Sequence, residues 1–182
     1  MAVKALSIEA LDAWLPVPLA FPEGRWRDVE EWAAQVGSVL PDDGGRAPFA
    51  AALQELQSVA PPLPGAEARL LWLGDLARPY LAHVYVGPGS SEVNDLVAIA
   101  DAGLGLLVQT VSRTEVEGYD RSILAVLIGD EQDPVVCGRC VGDQAGMTVV
   151  VDLVTFEPGV LALALDDLRD LFAAVRLVST PA

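Results

Sequence analysis

Between residues 104 and 156 the chain carries four apolar runs of strand length, 104–114, 121–128, 135–141 and 147–156, and this feature constrains its fold most. Clusters of turn residues separate them, Glu117-Gly118, the Gly129-Asp-Glu-Gln-Asp-Pro134 stretch and Gly142-Asp-Gln-Ala-Gly146. Gly, Asn, Asp and Pro break a run because they supply turn conformations or withhold a ladder donor, so the pattern predicts an antiparallel meander.

The flanks complete the reading. Residues 68–73 and 80–86 have strand character and are divided by a Gly74-Asp75 turn. Ser90 or Ser91 can cap a short helix running to Asp101, with Val93, Leu96, Val97 and Ala100 on one side. From Pro158 onward Leu161, Leu165, Leu168, Phe172 and Val175 recur at helical spacing, with Asp166, Asp167 and Asp170 on the wet face. A short strand over 176–179 is expected to close the sheet.

Residues 1–65 read as mainly helical with Pro and Gly breaks. The stretch 14–21, Trp-Leu-Pro-Val-Pro-Leu-Ala-Phe, is too Pro-rich for a central strand and suits an extended edge or a docking arm. Trp26, Val29, Ala33, Val36 and Leu40 then form one helical stripe, which Pro41-Asp-Asp-Gly-Gly45 ends. Pro48 opens a second helix carrying Phe49, Ala52, Leu53, Leu56 and Val59, and the prolines 61, 62 and 64 stop it. The two form a helical hairpin in this reading. The expected architecture is a single α+β domain over 1–182. It has a helical N-terminal region (1–65) and an antiparallel β-sheet with a C-terminal helix (66–182), the helices lying on one side of the sheet.

The order from Tyr80 to Ser179 is strand, helix, a strand ending in Thr114-Glu-Val-Glu-Gly-Tyr-Asp-Arg121, three more strands, a long helix and a terminal strand. It resembles the Mog1/PsbP-like fold over the C-terminal hundred residues or so, in topology and in a Val-x-Gly turn. Members of that group are largely binding and assembly factors without a shared catalytic site, so the resemblance implies a binding role. Residues 1–65 lie outside it.

Composition bounds the chemistry. One histidine (His83), one lysine (Lys4) and two cysteines stand against 26 acidic side chains in 182 residues. Proton transfer, Schiff-base, thiolate and metal chemistry draw heavily on His, Lys and Cys, so few routes to a conventional active site are open. A net charge of −15 and a pI near 4.2 argue against nucleic acid and anionic membranes, because both need a basic stripe and the arginines are scattered singly. The first ten residues have no apolar run before Glu9, which argues against a signal peptide, and no apolar stretch nears the roughly 20 residues of a membrane span. A cytoplasmic protein is expected. One lysine beside ten arginines matches the coding bias of a high-GC bacterium. A hydrophobic fraction of 52% in so charged a chain points either to a thick core or to an apolar surface that meets another chain, and of the two the latter, a homo-oligomer, is expected.

Each candidate site has a plainer alternative. Cys137-Gly-Arg-Cys140 is a single CxxC, short of the four ligands of a structural zinc even with His83. On a strand its two thiols would point to opposite faces, and no helix follows to lower a thiol pKa. Val86-Gly-Pro-Gly-Ser-Ser91 sits between strand and helix, where amides can hold a phosphate, but Glu92 stands where a third glycine would be needed and no Lys follows. His83 alternates with Leu81 and Tyr85; a triad would have to use it, yet no GxSxG accompanies any serine. The acidic groups Asp42-Asp43, Asp130-Glu131-x-Asp133 and Asp166-Asp167-x-x-Asp170 lack EF-hand spacing and read as solvated turns and a helix face. Of the four tryptophans, Trp14, Trp26 and Trp32 are the candidates for partner contact. Trp26 and Trp32, six apart, cannot both sit centrally on one narrow helix face, and the alternative places all the tryptophans in the core.

Without catalytic residues, cofactor or metal, the expected function is that of a non-enzymatic acidic protein-binding module, an assembly factor, chaperone-like adaptor or immunity-type protein with a basic partner. The rival is a small-molecule binder or hydrolase with a pocket between sheet and helices.

Overall fold

The computed structural model describes residues 4–38, 45–75, 80–89, 93–129 and 134–179. The chain divides into two compact units, Met1–Pro16 with Gly65–Ala182, and Val17–Pro64. The helical region therefore begins after Pro16, and the first sixteen residues belong with the sheet.

In the sheet unit seven antiparallel strands lie in the order β2 (Trp14–Pro16), β3 (Ala68–Trp72), β4 (Tyr80–Pro88), β8 (Met147–Thr155), β7 (Val136–Gln144), β6 (Arg121–Ile128) and β5 (Leu107–Thr114). Strands β5 to β8 form the expected meander, and β8 returns to pair with β4. The last turn is tighter than its composition suggests: β7 runs on to Gln144, leaving Ala145 (φ 51°) and Gly146 (φ 77°) as a two-residue loop. Two successive positive φ values are the mark of the primed turns that match the twist of a hairpin. Trp14–Pro16 is an edge strand, where proline's missing donor costs nothing.

Two expectations are corrected. The terminal strand β9 (Val175–Ser179) does not close the sheet; it pairs with β1 (Lys4–Ile8) in a separate two-stranded ribbon, in register from Lys4 against Ser179 to Ile8 against Val175. It issues directly from the helix α4 (Pro158–Ala174), so its course is set by where that helix ends. Nor do the helices share one side. Leu161, Ala164, Leu168, Leu171 and Phe172 of α4 pack with Leu124, Cys140, Val149 and Val151 on one face. Leu96 and Ala100 of α3 (Val93–Asp101) pack with Ile123, Leu127, Cys137 and Val141 on the other. Strands β6, β7 and β8 are apolar at both parities because both faces are covered.

In the helical unit, Asp28 caps α1 (Val29–Gly37) by accepting from the Glu31 amide at 2.9 Å. Trp26 lies before this cap, its backbone bridged to Glu23, so the helix starts three residues later than the apolar stripe suggests. The second helix, α2 (Arg46–Val59), packs against α1 at Gly37, where a Cβ would stand 3.2 Å from the Arg46 carbonyl oxygen and 3.4 Å from Ala50 Cβ. Among the described residues no helix is long and apolar enough to cross a membrane.

Candidate functional site

Four of the ionisable side chains that the strands bury form one row, apart from Asp143 of β7, which pairs with Arg121 and accepts from Thr148. Arg69 on β3 is in register with His83 on β4, His83 with Asp152 on β8, and Asp152 with Arg139 on β7. Register partners share a sheet face, and this is the α3 face. All four are buried, at 1%, 8%, 1% and 5% exposure. Arg139 donates Nη2 to Asp152 Oδ2 at 2.9 Å, and Nη1 to the carbonyls of Ala100 (3.0 Å) and Ala102 (2.7 Å) at the end of α3. One guanidinium thus satisfies a buried carboxylate and the orphan carbonyls of a helix terminus together.

Three atoms of the row, His83 Nε2, Asp152 Oδ1 and Arg139 Nε, are buried without a hydrogen-bond partner. Burial, helped by the positive charge of Arg69, lowers the His83 pKa from 6.5 to about 4, so the imidazole is neutral at physiological pH. Burial holds the Asp152 carboxyl above its usual range, against the opposing pull of Arg139. Its neighbour Tyr85, whose ring stacks near His83 at 6.3 Å, is raised to about 12 by burial.

The Cys137-Gly-Arg-Cys140 segment lies in the first half of β7, and its parity explains every position. Cys137 and Arg139 face α3, while Gly138 and Cys140 face α4. A Cβ on Gly138 would come 2.9 Å from Leu161 Cδ1 and 3.0 Å from Leu168 Cδ2, so the glycine lets α4 close on the strand. Four residues on from Gly138, Gly142 lies under the stacked rings of Tyr119 and Phe172, 4.1 Å between centroids. The thiols, on opposite faces, cannot converge on one ion or on each other, and burial pushes both up to about 12.

Of the tryptophans, Trp14 and Trp72 are core residues tied to one helical residue: Trp14 Nε1 donates to the Asp167 carbonyl at 2.9 Å, Trp72 Nε1 to its carboxylate at 2.7 Å. Trp32 is fully buried near Phe21. Trp26 is half-buried, donates to Gln35 at 2.8 Å and carries the Arg25 guanidinium over its ring, so it is the tryptophan with surface to offer.

Of the acidic groups, Asp42-Asp43 and 130–133 lie outside the described residues, as do Ser90, Ser91 and Glu92 of the glycine loop. Gly89 is pressed against the β7–β8 turn, where a Cβ would meet the Gly146 carbonyl at 2.6 Å. Asp166 and Asp170 of α4 are exposed, Asp166 pairing with Arg169 at 2.7 Å. Among the described residues no group of three or more His, Cys, Asp or Glu is placed to hold a metal ion. An apolar cleft of about 340 Å³ runs beside the β2 edge, lined by Ile8, Leu11, Trp14, Pro16 and Leu70 among others, and His83 is not in its wall.

The surface has the opposite character. Leu163 on α4 is 75% exposed and Phe156, just before it, 67%. Leu163 shares its helical stripe with the exposed Asp166 and Asp170, three and seven residues on, whereas Asp167, expected on the wet face, turns its carboxylate to the core residue Trp72. Sequence reading passed over Arg69, Arg139 and Asp152. The available signal was a lone charge within an otherwise apolar strand run, as in Val-Val-Val-Asp-Leu-Val around Asp152.

No protein-family model and no curated protein matches the chain. Among solved structures it is similar to the solution structure of cyanobacterial PsbP (CyanoP) from Synechocystis sp. PCC 6803, with a TM-score of 0.41 and 14% identity, over 66% of this chain and 79% of that one. This is a weak PsbP-like likeness of fold, and no functional statement rests on it.

Proposed function

We propose that the chain is a non-enzymatic, cytoplasmic protein-binding module, an assembly factor, adaptor or immunity-type protein that takes a basic partner. The observation that carries this reading is the outer face of α4. There Leu163 stands three-quarters exposed, with Asp166 and Asp170 beyond it, on a chain of net charge −15. An apolar anchor set in negative potential suits a partner that is steered by charge and held by burial. The test is capture from the native extract by the immobilised chain, at low salt and at about 0.5 M salt, where the Debye length is well below 10 Å. A basic protein retained by wild type, released by salt and lost by Leu163→Asp is expected; retention indifferent to both salt and Leu163 overturns the proposal.

The rival reading, a small-molecule binder or hydrolase, draws on His83 Nε2 and Asp152 Oδ1, unpartnered at adjacent register positions. It requires His83→Ala to abolish turnover, whereas the binding reading expects captured partners to be unchanged in that variant.

A further inference from the structure

The two edges of the seven-stranded sheet are finished differently. At one end β2 is three residues long and terminates in Pro16, which has no N–H to offer. At the other β5 runs for eight residues, and six of them are exposed, Leu107 (66%) and Val111 (39%) included. Natural edge strands are protected from pairing by shortness, lysine, proline or a bulge. In β5 there is no Lys or Pro, and the register shift lies between Val108 and Thr110, so Thr110 to Thr114 pair regularly with β6 and present a regular outer edge.

Charge is compatible with pairing at the same place. In a chain with 26 acidic residues, none occurs from Ala102 to Thr114, and β5 itself carries only Arg113. The neighbouring strand β6 has no acid either. For a second molecule of net charge −15, this ribbon presents no acidic side chain of its own to repel. A basic partner, by contrast, is drawn to the acids elsewhere.

We propose that β5 pairs antiparallel with β5 of a second copy of this chain, joining two seven-stranded sheets about a two-fold axis. With Val111 on the axis, Thr110 stands opposite Ser112 of the second copy and Arg113 faces the irregular stretch at Gln109, not its own counterpart, so no like charges are opposed. Such an isologous contact closes at two. It does not depend on the α4 face or on any other partner.

The test uses the full chain in sedimentation and light scattering. Wild type is expected to be a dimer that dissociates on dilution. Val111→Lys and Val111→Glu, each setting like charges together at the axis, are expected to be folded monomers, and their equimolar mixture is expected to recover the dimer. Val111→Cys should cross-link to its own copy under mild oxidation, since Cys137 and Cys140 are buried. Should either charge variant fail to fold, the cross-link decides. A wild-type monomer up to roughly 100 μM, a dimer that survives both charge variants, or no cross-link at position 111 would overturn the proposal.

Discussion

His83 is held neutral by burial, and that has a sign. Its pKa is about 4 in the folded chain and 6.5 when exposed, so the unfolded chain binds the extra proton first as pH falls. The contribution is complete above 6.5 and is lost between there and about 4, on the order of 3 kcal/mol across the window. Arg69 and Asp152 face the imidazole from either side and Tyr85 stacks near it. Asp152, raised by burial, works in the opposite sense at the acid end, so the useful quantity is a difference. Urea unfolding at pH 7.5 and 5 should show wild type losing more stability than His83→Gln; equal losses would mean that the imidazole is hydrated in the folded state. Close packing gives a second expectation. At Gly142 a Cβ would lie 2.7 Å from Tyr119 and 2.8 Å from both Phe172 and the Arg121 carbonyl, and a backbone oxygen cannot rotate away. Gly142→Ala is expected to cost about 1–3 kcal/mol, read from the urea midpoint, and an unchanged midpoint would refute the close contact. The opposite-facing thiols of the CxxC were legible from strand parity alone. The pairing of Arg139 with Asp152 was not, because it depends on which strands become neighbours.

Elements were most legible where one local rule decided them. Strand β6 falls where its run predicts, and α4 begins at the proline that opens it. The ribbon β1–β9 was not legible, because both partners are five-residue segments whose pairing joins the two ends of the chain. The placement of α3 opposite α4 was likewise hidden, since two-sided burial makes a strand apolar at both parities and erases the alternation that assigns faces. Beside the apolar contacts of Leu96 and Ala100, one side chain ties α3 to its face: Arg139, which donates to the carbonyls of Ala100 and Ala102 while paired to Asp152. Replacing it by methionine leaves a buried carboxylate without its cation and a helix end without its donor, which should cost about 3–5 kcal/mol. The loss should fall on α3: its amides are expected to exchange earlier than those of α4 in Arg139→Met. Adding Asp152→Asn should recover part of the stability, because the stranded charge is removed. Unchanged protection in α3 would show that apolar contacts at Leu96 and Ala100 hold the helix by themselves.

For the whole molecule, net charge sets two proposed associations against each other in their response to salt. Joining two chains of charge −15 at β5 works against long-range repulsion, so added salt strengthens it. Binding a basic protein at the α4 face gains from attraction across the interface, so the same salt weakens it and slows the on-rate. One titration therefore separates the two surfaces without a mutation. Between about 0.05 and 0.5 M salt, over which the Debye length shrinks several-fold, the dimer should become harder to dilute apart while captured partner is released. The variants should divide in the same way: Val111→Lys removes the first response and keeps the second, and Leu163→Asp does the reverse. If both associations moved in the same direction with salt, a single surface would be serving both, and the assignment of self-pairing to the acid-free edge would fail.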